Sequence, residues 1–317
     1  MKLQGLHGEP GACLTIARRL PDDHLKLTRL TDKFNVHPNP RMGWQGHLSL
    51  HYRVQQGRTV ALDRHSGPLR VLKRLSPEGD AICHHVLVHP PGGLVGGDEL
   101  QLHVQLDAGS HALITTPGAT RYYRSEGLTA TQRVNMSLAK DSRLEWLPME
   151  TIAHAGCAAV NEVTLDLAPG AEMMGWDLLA LGLPASDAPF DSGCYTQQLQ
   201  WPGVWLERAR IRSDDHLLLN SPLGLAGHRV LGTLWWASGT PLQRQRRHAL
   251  QERALHAVST SPLQASAACT APDERLLVLR LLAHHVEPAM ALLQAVRAAW
   301  RLEGWALQAQ TPRLWRT

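Results

Sequence analysis

The sequence lacks any hydrophobic run long enough to cross a bilayer. A spanning helix needs about 20 apolar residues, whereas the longest apolar stretches, such as residues 276–283, are short and interrupted by Arg280. The first residues also lack the sustained apolar core and the small-residue cleavage site of a secretion signal. These absences argue against a membrane-spanning protein and predict a cytoplasmic location.

Cysteine is scarce, and neither sign of charge dominates. The five cysteines are isolated, odd in number and form no C-x-x-C pair, which argues against a disulfide framework and a structural zinc site. Only five of the 32 basic residues are Lys, and they are spread among 28 acidic residues, giving a formal net charge of +4. No basic tail or basic aromatic motif points to a nucleic-acid partner.

What is present is the composition of a globular chain, with 317 residues that are 44% hydrophobic and 19% charged. From Gly46 onward, apolar and polar residues alternate with a period of two in short segments separated by Gly, Pro, Asp or Asn. Such alternation is typical of half-buried strands. The four clearest segments are His47 to Val54, Glu99 to Leu106, Thr131 to Leu138 and Asn161 to Leu167.

A degenerate repeat follows three of these strands. Each copy has an apolar residue, a tight turn with Gly or Asp at its fourth position and a return strand, as in Leu106 to Ala112, Leu138 to Leu144 and Leu167 to Met173. Repeated hairpin units of this length cannot bury their apolar faces alone, so they must stack on neighbours. The sequence therefore predicts a mainly β fold with a stacked, solenoid-like body, although an ordinary β-sandwich would leave a similar trace.

Helical periodicity is found only late in the chain. Leu242 to Val258 has an apolar face opposite an Arg-rich one. Glu287 to Leu302 has an apolar stripe, with Pro288 in its first turn and Gly304 as a stop signal. The sequence therefore predicts two α-helices toward the C-terminus.

The remaining segments complete the predicted organisation. Further strands are expected around Leu263 to Cys269 and Arg275 to Leu282, between the two helices. Residues 1–43, with Gly, Pro and mixed charge, are predicted to form a loosely ordered extension. Residues 44–317 are predicted to form a single β-rich domain.

A glycine-rich loop, His89 to Asp98 (HPPGGLVGGD), has the glycine content of a phosphate-binding loop. Phosphate loops work because they open a helix N-terminus, and P-loops add a Lys-Ser/Thr pair; neither is present here. The loop instead joins the apolar strand Ile82 to Val88 to the strand from Glu99. We therefore expect its glycines to supply positive φ in a wide turn or to let another backbone approach closely.

Histidines and carboxylates are the candidate chemical groups. Some of the 18 His share strand faces, such as His85 and His89, but no H-E-x-x-H motif or carboxylate cluster completes a metal site. Asp98, Glu145, Glu150 and Asp177 lie in mixed apolar surroundings that would raise the pKa of a carboxyl, as in acid-base hydrolases, and Glu150 and Asp177 are expected to be the most enclosed. Such carboxylates equally serve as structural acceptors for turn amides, and no G-x-S-x-G motif indicates a nucleophile.

Two tyrosines between two arginines follow a Pro-Gly turn, as Arg121, Tyr122, Tyr123 and Arg124. Arg and Tyr in rigid loops are favoured hot-spot residues of protein interfaces. We therefore predict that these four residues contact a protein partner. The alternative is that the two rings pack beneath the loop.

These loops together resemble one known family. The segments HPPGGLVGGD (89–98), TTPGATRYYRS (115–125), WLPMETI (146–152) and GWDLLALGLPAS (175–186) closely resemble those of the urease accessory proteins called UreD, or UreH in some organisms. The segment SPLGLAGHRVLGTLWWASG (221–239) continues the resemblance, which covers roughly residues 44–300. Four ordered motifs are far more specific than a lone glycine-rich loop.

The resemblance implies a urease maturation factor that is not itself an enzyme. Family members bind apo-urease and, with an all-helical UreF-like accessory protein and a UreG-like GTPase, help to install the nickel centre. The family fold is a helical stack of β-strands with a pair of helices. With such partners, the surplus of ten Trp suggests apolar contact surfaces.

The resemblance also implies that the protein offers nickel an internal route or shields it during transfer, without a tightly bound cofactor. A transfer path should hold a labile ion through sparse carboxylates rather than a thiolate cage. The polar residues of the matched motifs, Asp98, Thr115, Glu150 and Asp177, are therefore the candidates for a transient nickel path.

The alternative function is that of a carbohydrate-active hydrolase or lyase. Stacked β-solenoids frequently carry carboxylates that cleave glycosidic linkages. Such an enzyme should show an exposed, carboxylate-rich cleft with aromatic platforms, and usually a secretion signal. The sequence has few separated acidic pairs and no such signal.

Overall fold

Three stacked layers, two β-sheets and one layer of helices, make up the part of the chain that the computed structural model describes, residues 43–316. The predicted extension, residues 1–43, lies outside the described residues except for Gly43. The helices are α1 (His216–Asn220), α2 (Arg244–Ser259) and α3 (Val286–Trp305). None of them is both long and apolar enough to cross a membrane.

Eighteen strands are present between Gln45 and Ala283. In chain order they are β1 (Gln45–Gln55), β2 (Arg58–Ser66), β3 (Arg70–Leu75), β4 (Ile82–Val88), β5 (Glu99–Leu106), β6 (His111–Thr115), β7 (Thr120–Tyr122), β8 (Ala130–Leu138), β9 (Arg143–Leu147), β10 (Thr151–Ala153), β11 (Cys157–Leu167), β12 (Glu172–Leu183), β13 (Ala188–Pro189), β14 (Gly193–Trp201), β15 (Trp205–Arg212), β16 (Val230–Ser238), β17 (Ala267–Asp273) and β18 (Leu276–Ala283).

Sheet A has seven strands in the order β15-β14-β11-β8-β5-β1-β2. Sheet B has eleven strands, eight of which follow the order β17-β18-β16-β12-β9-β6-β4-β3, while β7, β10 and β13 lie off this path. The central strands of both sheets pair in parallel with strands of the next coil. The prediction of a mainly β, solenoid-like body is confirmed.

The repeated turns carry the chain from one sheet to the other. Their fourth residues have a left-handed backbone, with φ of 71° at Gly109, 58° at Asp141 and 80° at Gly170. Gly adopts this conformation without steric cost and Asp tolerates it, which explains the repeated Gly or Asp. The predicted hairpins are therefore wrong, because each return strand lies in sheet B and pairs with the next coil instead of with the strand before it.

Stacking of equivalent residues fixes the register between coils. Leu106 pairs with Leu138, and Leu138 pairs with Leu167, so the apolar residues of the three repeats stand side by side in the core. The turns that follow are also linked, since the amide of Arg143 donates to the carbonyl of Ser110 at 2.8 Å. The degenerate repeat is thus one structural unit used three times.

The four predicted alternating strands correspond to β1, β5, β8 and β11. The later strand predictions differ slightly, because residues 263–266 form a turn and β17 begins only at Ala267. Both predicted helices are found, as α2 and α3. The short helix α1 is not predicted, because its five residues are too few to show a helical period.

Gly304 does not stop α3, which continues to Trp305 and ends where Ala306 takes a left-handed φ of 55°. A Cβ at Gly304 would collide with the ring of Trp236, so the glycine is needed for close packing. Its carbonyl also accepts a hydrogen bond of 2.8 Å from the guanidinium of Arg246 in α2. Gly304 is therefore a contact point between the helices and sheet B.

The two interfaces between layers contain the apolar core. One cluster fills the space between the sheets, and the other lies between sheet B and the helices α2 and α3. Eight of the ten Trp are buried in these clusters, and Trp44 is the large exception at 63% exposure. The suggestion that the Trp surplus marks partner surfaces is thus wrong, since it mainly fills a three-layer core.

A buried ion cluster joins α3 to sheet B. Glu145 of β9 accepts a hydrogen bond of 2.7 Å from Arg297 and lies 3.5 Å from Arg301. Arg301 also donates to Glu78 of the β3–β4 loop at 2.7 and 3.1 Å. The side chains of Glu145 and both arginines are at most 2% exposed, so these charges are compensated within the protein rather than by solvent.

The arginines also set the ionisation of Glu145. Burial alone would raise the pKa of this carboxyl, but the positive charge of Arg297, assisted by His111 and Arg301, lowers it to about 2. The charged form of Glu145 is therefore favoured by folding at neutral pH. The expectation that apolar surroundings raise the pKa of Glu145 is wrong, because the neighbouring arginines outweigh the effect of burial.

We expect Glu145→Gln to lower the free energy of unfolding at pH 7 by about 3–5 kcal/mol, because it leaves the buried guanidinium of Arg297 without a carboxylate and leaves Arg301 with Glu78 alone. The measurement is urea denaturation. The difference from the unmodified chain should shrink as pH falls from 4.5, the ordinary value, to about 2. Glu303→Gln is the control, since it breaks only the largely exposed pair with Arg253 and should cost at most about 1 kcal/mol. Equal costs for both variants would contradict the assignment.

Candidate functional site

Polar side chains enter the apolar space between the two sheets at the middle of the solenoid. Gln132 of β8 donates to the side-chain oxygen of Asn161 in β11 at 3.2 Å, and Asn161 donates to Asp177 Oδ2 in β12 at 3.0 Å. The rings of Tyr122 and Tyr195 pack beside them, with centroids 5.7 Å apart. These five residues are called the interior polar cluster.

Alternation of the strands places these polar groups inside. Gln132 has the same parity as Val134 and Met136, which fill the core between the sheets. Asn161 likewise shares its face with Val163 and Leu165. A polar residue on the apolar face of a strand points into the core, where its polar atoms need partners.

Two polar atoms of the interior polar cluster have no hydrogen bond within residues 43–316. They are Asp177 Oδ1 and the hydroxyl of Tyr195. Gln197 lies near the Asp177 carboxylate, but no hydrogen bond of normal geometry joins them. A buried acceptor of this kind is a place where a water molecule or a cation gains binding energy.

Asp177 has an altered ionisation because of this environment. Burial raises the pKa of its carboxyl to about 6, and the nearby side chains of Gln197 and Asn161 only partly offset this effect. The negative charge of Glu207 adds to the upward shift. Asp177 is therefore mostly ionised at pH 7 but takes up a proton within the range of mild acid.

A mainly apolar cavity of about 300 Å³ adjoins Gln132 between the sheets. Its walls include Val134 and Trp146 together with residues from the loops 89–94 and 116–121. The Nε2 atom of His89, another lining residue, is buried without a hydrogen-bond partner in the described part of the chain. The cavity thus joins two of the loops recognised in the sequence to the interior polar cluster.

Asp98 supports the glycine-rich loop. Its carboxylate accepts hydrogen bonds from the backbone amides of Trp44 at 2.7 Å and Val95 at 2.9 Å, which is the structural role that the sequence left open. Gly92 and Gly97 have φ of 79° and 92°. A Cβ at Gly96 would lie 2.7 Å from the backbone carbonyl oxygen of Leu128, so both expected uses of glycine are confirmed.

Thr115 and Glu150 lie apart from the interior polar cluster. Thr115 is buried and donates to the carbonyl of Leu147 at 2.7 Å, while it accepts from the indole of Trp315 at 2.9 Å. Glu150 is half-buried, and its backbone carbonyl accepts from the amide of Thr120 at 2.9 Å. Neither residue contacts Asp177 through a hydrogen bond among the described residues.

The tyrosine-arginine segment divides between core and surface. Tyr122 is fully buried, so its ring packs beneath the loop and is excluded from any contact surface. Tyr123 is half-buried and stacks on the His154 ring with centroids 4.9 Å apart. Arg121 and Arg124 are exposed and remain available to a partner, as does the open edge of Tyr123.

No three His, Cys, Asp or Glu side chains within residues 43–316 come together as a metal-binding group. Asp98, Glu150 and Asp177 therefore do not form one shared site. The chemistry available between the sheets is that of a single carboxylate with amide and phenol neighbours. Such a donor set binds a divalent cation weakly and releases it easily.

Sequence reasoning missed Gln132, Asn161 and Tyr195. The signal that could have found the first two is their parity, because each occupies an apolar-face position in a strand that was correctly predicted. Tyr195 gave no comparable signal, since its strand β14 was not predicted. In that strand, Gln197 interrupts the apolar face formed by Tyr195, Leu199 and Trp201.

Comparison with known proteins gives a consistent result. Residues 45–316 match the family model described as UreD urease accessory protein. The chain is 60% identical over 278 residues to the urease accessory protein UreD of Leptothrix cholodnii, covering 87% of this chain and 100% of that protein. It is 56% identical over 276 residues to that of Variovorax paradoxus, covering 87% and 100%. It is 54% identical over 274 residues to that of a Polaromonas species, covering 86% and 99%.

We expect Asp177→Asn to stabilise the chain above pH 7 by up to about 3 kcal/mol, because burial raises the pKa of Asp177 from 3.8 to about 6. A raised pKa in the folded state means that stability is lost as pH rises from 3.8 through about 6. The neutral amide does not suffer this loss. Urea denaturation between pH 4 and pH 8 measures the free energy of unfolding of the variant and of the unmodified chain. A difference between them that does not change with pH would argue against a buried carboxylate with a raised pKa.

Proposed function

Because this chain belongs to the UreD urease accessory protein family, we propose that it is a binding scaffold for assembly of the nickel centre of urease. In this role it binds apo-urease in the cytoplasm together with a helical, UreF-like accessory protein and a UreG-like GTPase. It catalyses no reaction itself, and nickel is its cargo. GTP hydrolysis belongs to the partner, in keeping with the missing P-loop motif.

The enclosed Asp177 carboxylate is the observation that carries the proposal for nickel. An unpartnered carboxylate oxygen in the core is costly to keep, and a passing divalent cation would compensate its charge. Asp177 is surrounded by neutral oxygen and nitrogen groups of Asn161 and Tyr195 instead of thiolates. This supports transient binding, since hard oxygen ligands in small number hold nickel loosely.

The neighbours of Asp177 support a continuous route. On one side, Asn161 and Gln132 lead to the cavity between the sheets. On the other side, Asp177 pairs in register with Thr233 of β16, whose hydroxyl lies 3.3 Å from a carboxylate oxygen of Glu207. The proposed path therefore runs between the sheets from the cavity to the edge strand β15.

Asp98 and Glu150 belong to the proposed path as charges that flank the cavity. The carboxylate of Asp98 is close enough to oppose the lowering of the pKa of His89 by burial, and His89 lines the cavity. Glu150 is bonded through its carbonyl to Thr120, another lining residue. Negative charge beside an opening attracts a cation, so these residues would raise the local nickel concentration.

A carbohydrate-active enzyme is not favoured by the described residues. Glycoside cleavage needs two carboxylates that reach a bound sugar. Asp98 and Asp177 are only 5% and 7% exposed, and the carboxylate of Asp98 is occupied by two backbone amides.

The proposal predicts that Asp177→Asn lowers the nickel content of urease several-fold when the variant replaces the unmodified chain in cells that express a urease operon. The amide keeps the size of the side chain but removes the charge that holds the cation. Nickel per urease and urease activity are measured, and co-purification with the partners is checked. Asp166→Asn is the control, since Asp166 is exposed on the outer face of the neighbouring strand β11.

Two outcomes would count against this proposal at different levels. Full nickel loading with Asp177→Asn, and also with Glu150→Ala, would remove these residues from the path but leave the scaffold role. Unchanged nickel loading in cells that lack the chain altogether would overturn the scaffold role itself.

A second prediction concerns the partner contact of the exposed tyrosine-arginine segment. The variant Arg121→Ala/Arg124→Ala, or Tyr123→Ala alone, should reduce pull-down of one partner without changing the thermal unfolding temperature by more than a few degrees. Tyr122→Ala is the contrasting variant, because loss of its fully buried ring should destabilise the fold by about 3–5 kcal/mol. Retention of every partner by the first two variants would assign the segment to structure alone.

A further inference from the structure

Sheet A ends one strand earlier than sheet B. Glu207 of the edge strand β15 accepts hydrogen bonds from Arg280 of β18 at 2.5 and 3.0 Å and lies 3.3 Å from the hydroxyl of Thr233 in β16. β15 therefore lies opposite β16 and β18. The next strand of sheet B is β17, and no strand of sheet A among residues 43–316 lies beyond β15 to cover it.

The face of β17 that points toward sheet A is therefore not covered by any strand among the described residues. Cys269 is buried in the cluster with the helices, and Ala267 and Ala271 pack against that cluster. The opposite face carries Ala268 and Thr270, which are both exposed. Because these side chains are small, the face of β17 leaves space for one further strand beside β15.

Within residues 43–316, β15 is a regular edge strand of the solenoid and has no backbone partner on its outer side. Its eight residues contain no Pro and pair in unbroken register with β14. Other edges are modified, since β17 has a register shift and contains Pro272, and β3 also has a register shift. The edge strand β2 is bonded through the Thr59 amide to the carbonyl of Asp80 at 2.9 Å. Exposed regular edges invite pairing with another strand.

Arginines line the outer face of this edge. Arg208, Arg210 and Arg212 alternate along β15 and are all exposed. Arg212 is paired with Asp214, whereas Arg208 and Arg210 have no carboxylate partner in the described part of the chain. Arg210 donates only to the sulfur of Cys194, at 3.4 Å. Two positive charges are thus free to pair with a ligand.

We propose that the free edge of β15 is the docking site for an extended, acidic segment of a partner protein, which adds to sheet A as an eighth strand. Its acidic side chains face Arg208 and Arg210, and its alternate side chains cover Ala268 and Thr270. Backbone hydrogen bonds supply affinity and the arginines select the charge. This inference does not depend on the proposed nickel path.

A second copy of the chain fits this edge poorly. Antiparallel pairing of two β15 strands would bring two rows of arginine onto one face, and like charges on neighbouring strands are destabilising. An acidic segment avoids this repulsion. Charge complementarity therefore points to a different protein as the occupant.

The test uses the full chain and a synthetic, fluorescently labelled peptide of alternating Glu and Val with the length of β15. Fluorescence anisotropy should show saturable binding, and amide hydrogen exchange of residues 205–212 should slow in its presence. The same peptide with every backbone amide N-methylated keeps its charge but can donate no backbone hydrogen bond from either edge, so it should bind about tenfold more weakly or worse.

Charge is tested separately with Arg208→Glu/Arg210→Glu, which should also weaken binding about tenfold or more. Arg53→Glu/Arg64→Glu is the matched control, because it makes the same charge change at exposed positions of β1 and β2 and should leave affinity within about twofold. Circular dichroism checks that both variants fold, and the N-methylated peptide tests the idea on the unmodified chain.

Several results would overturn the proposal. They are absence of binding, equal binding of the N-methylated peptide, unchanged hydrogen exchange in residues 205–212, and equal losses in both double variants. Self-association of the chain that Arg208→Glu/Arg210→Glu abolishes would instead identify a second copy as the occupant.

Discussion

The buried carboxylate of Glu145 determines how the helical layer meets the solenoid. Two guanidinium groups of α3 lie beside it in a region closed to solvent, where an unpaired charge would cost several kcal/mol. In the observed position of α3, the carboxylate lies 2.7 Å from the Arg297 guanidinium and 3.5 Å from that of Arg301. The apolar contacts around them, such as that of Gly304 with the Trp236 ring, are also close-packed, so charge pairing and packing act together at this interface.

This constraint also shapes the interior of the sandwich. Because α2 and α3 cover the outer face of sheet B, β12 is buried on both sides, and one of its faces is turned toward sheet A. A carboxylate on that face, Asp177, cannot reach solvent and depends on groups inside the protein. The same three-layer arrangement that hides Trp176 among the helices therefore places an ionisable group between the sheets.

Much of the architecture was predictable from the sequence because it follows from local patterns. Period-two alternation identified β1, β5, β8 and β11, and helical periodicity identified α2 and α3. The pairing of the return strands was not predictable from these patterns. The sequence of the turn at Asp141 is compatible both with a hairpin and with a crossing to the other sheet. Gly304 was misread for a similar reason, because its role depends on Trp236, which is distant in sequence.

The candidate site was predicted less completely. Asp177 was identified through its apolar surroundings, whereas the partners that define its environment, Asn161 and Gln132, lie on other strands. Their contacts are set by the register between coils, which one strand alone does not reveal. For Asp98 and Tyr122, the sequence suggested metal binding and partner contact, respectively. In the structure, Asp98 accepts hydrogen bonds from loop amides and Tyr122 is buried in the core.

The sequence distances in the buried ion cluster have a consequence for synthesis on the ribosome. Arg301 is 223 residues from Glu78, and Arg297 is 152 residues from Glu145. A nascent chain that has completed its coils still displays the apolar outer face of sheet B and an uncompensated Glu145 until α3 emerges from the exit tunnel. Contacts between segments so far apart in sequence form slowly, and the apolar surface stays exposed until they form. Premature termination near the C-terminus would therefore yield an aggregation-prone polypeptide rather than a shortened, working one.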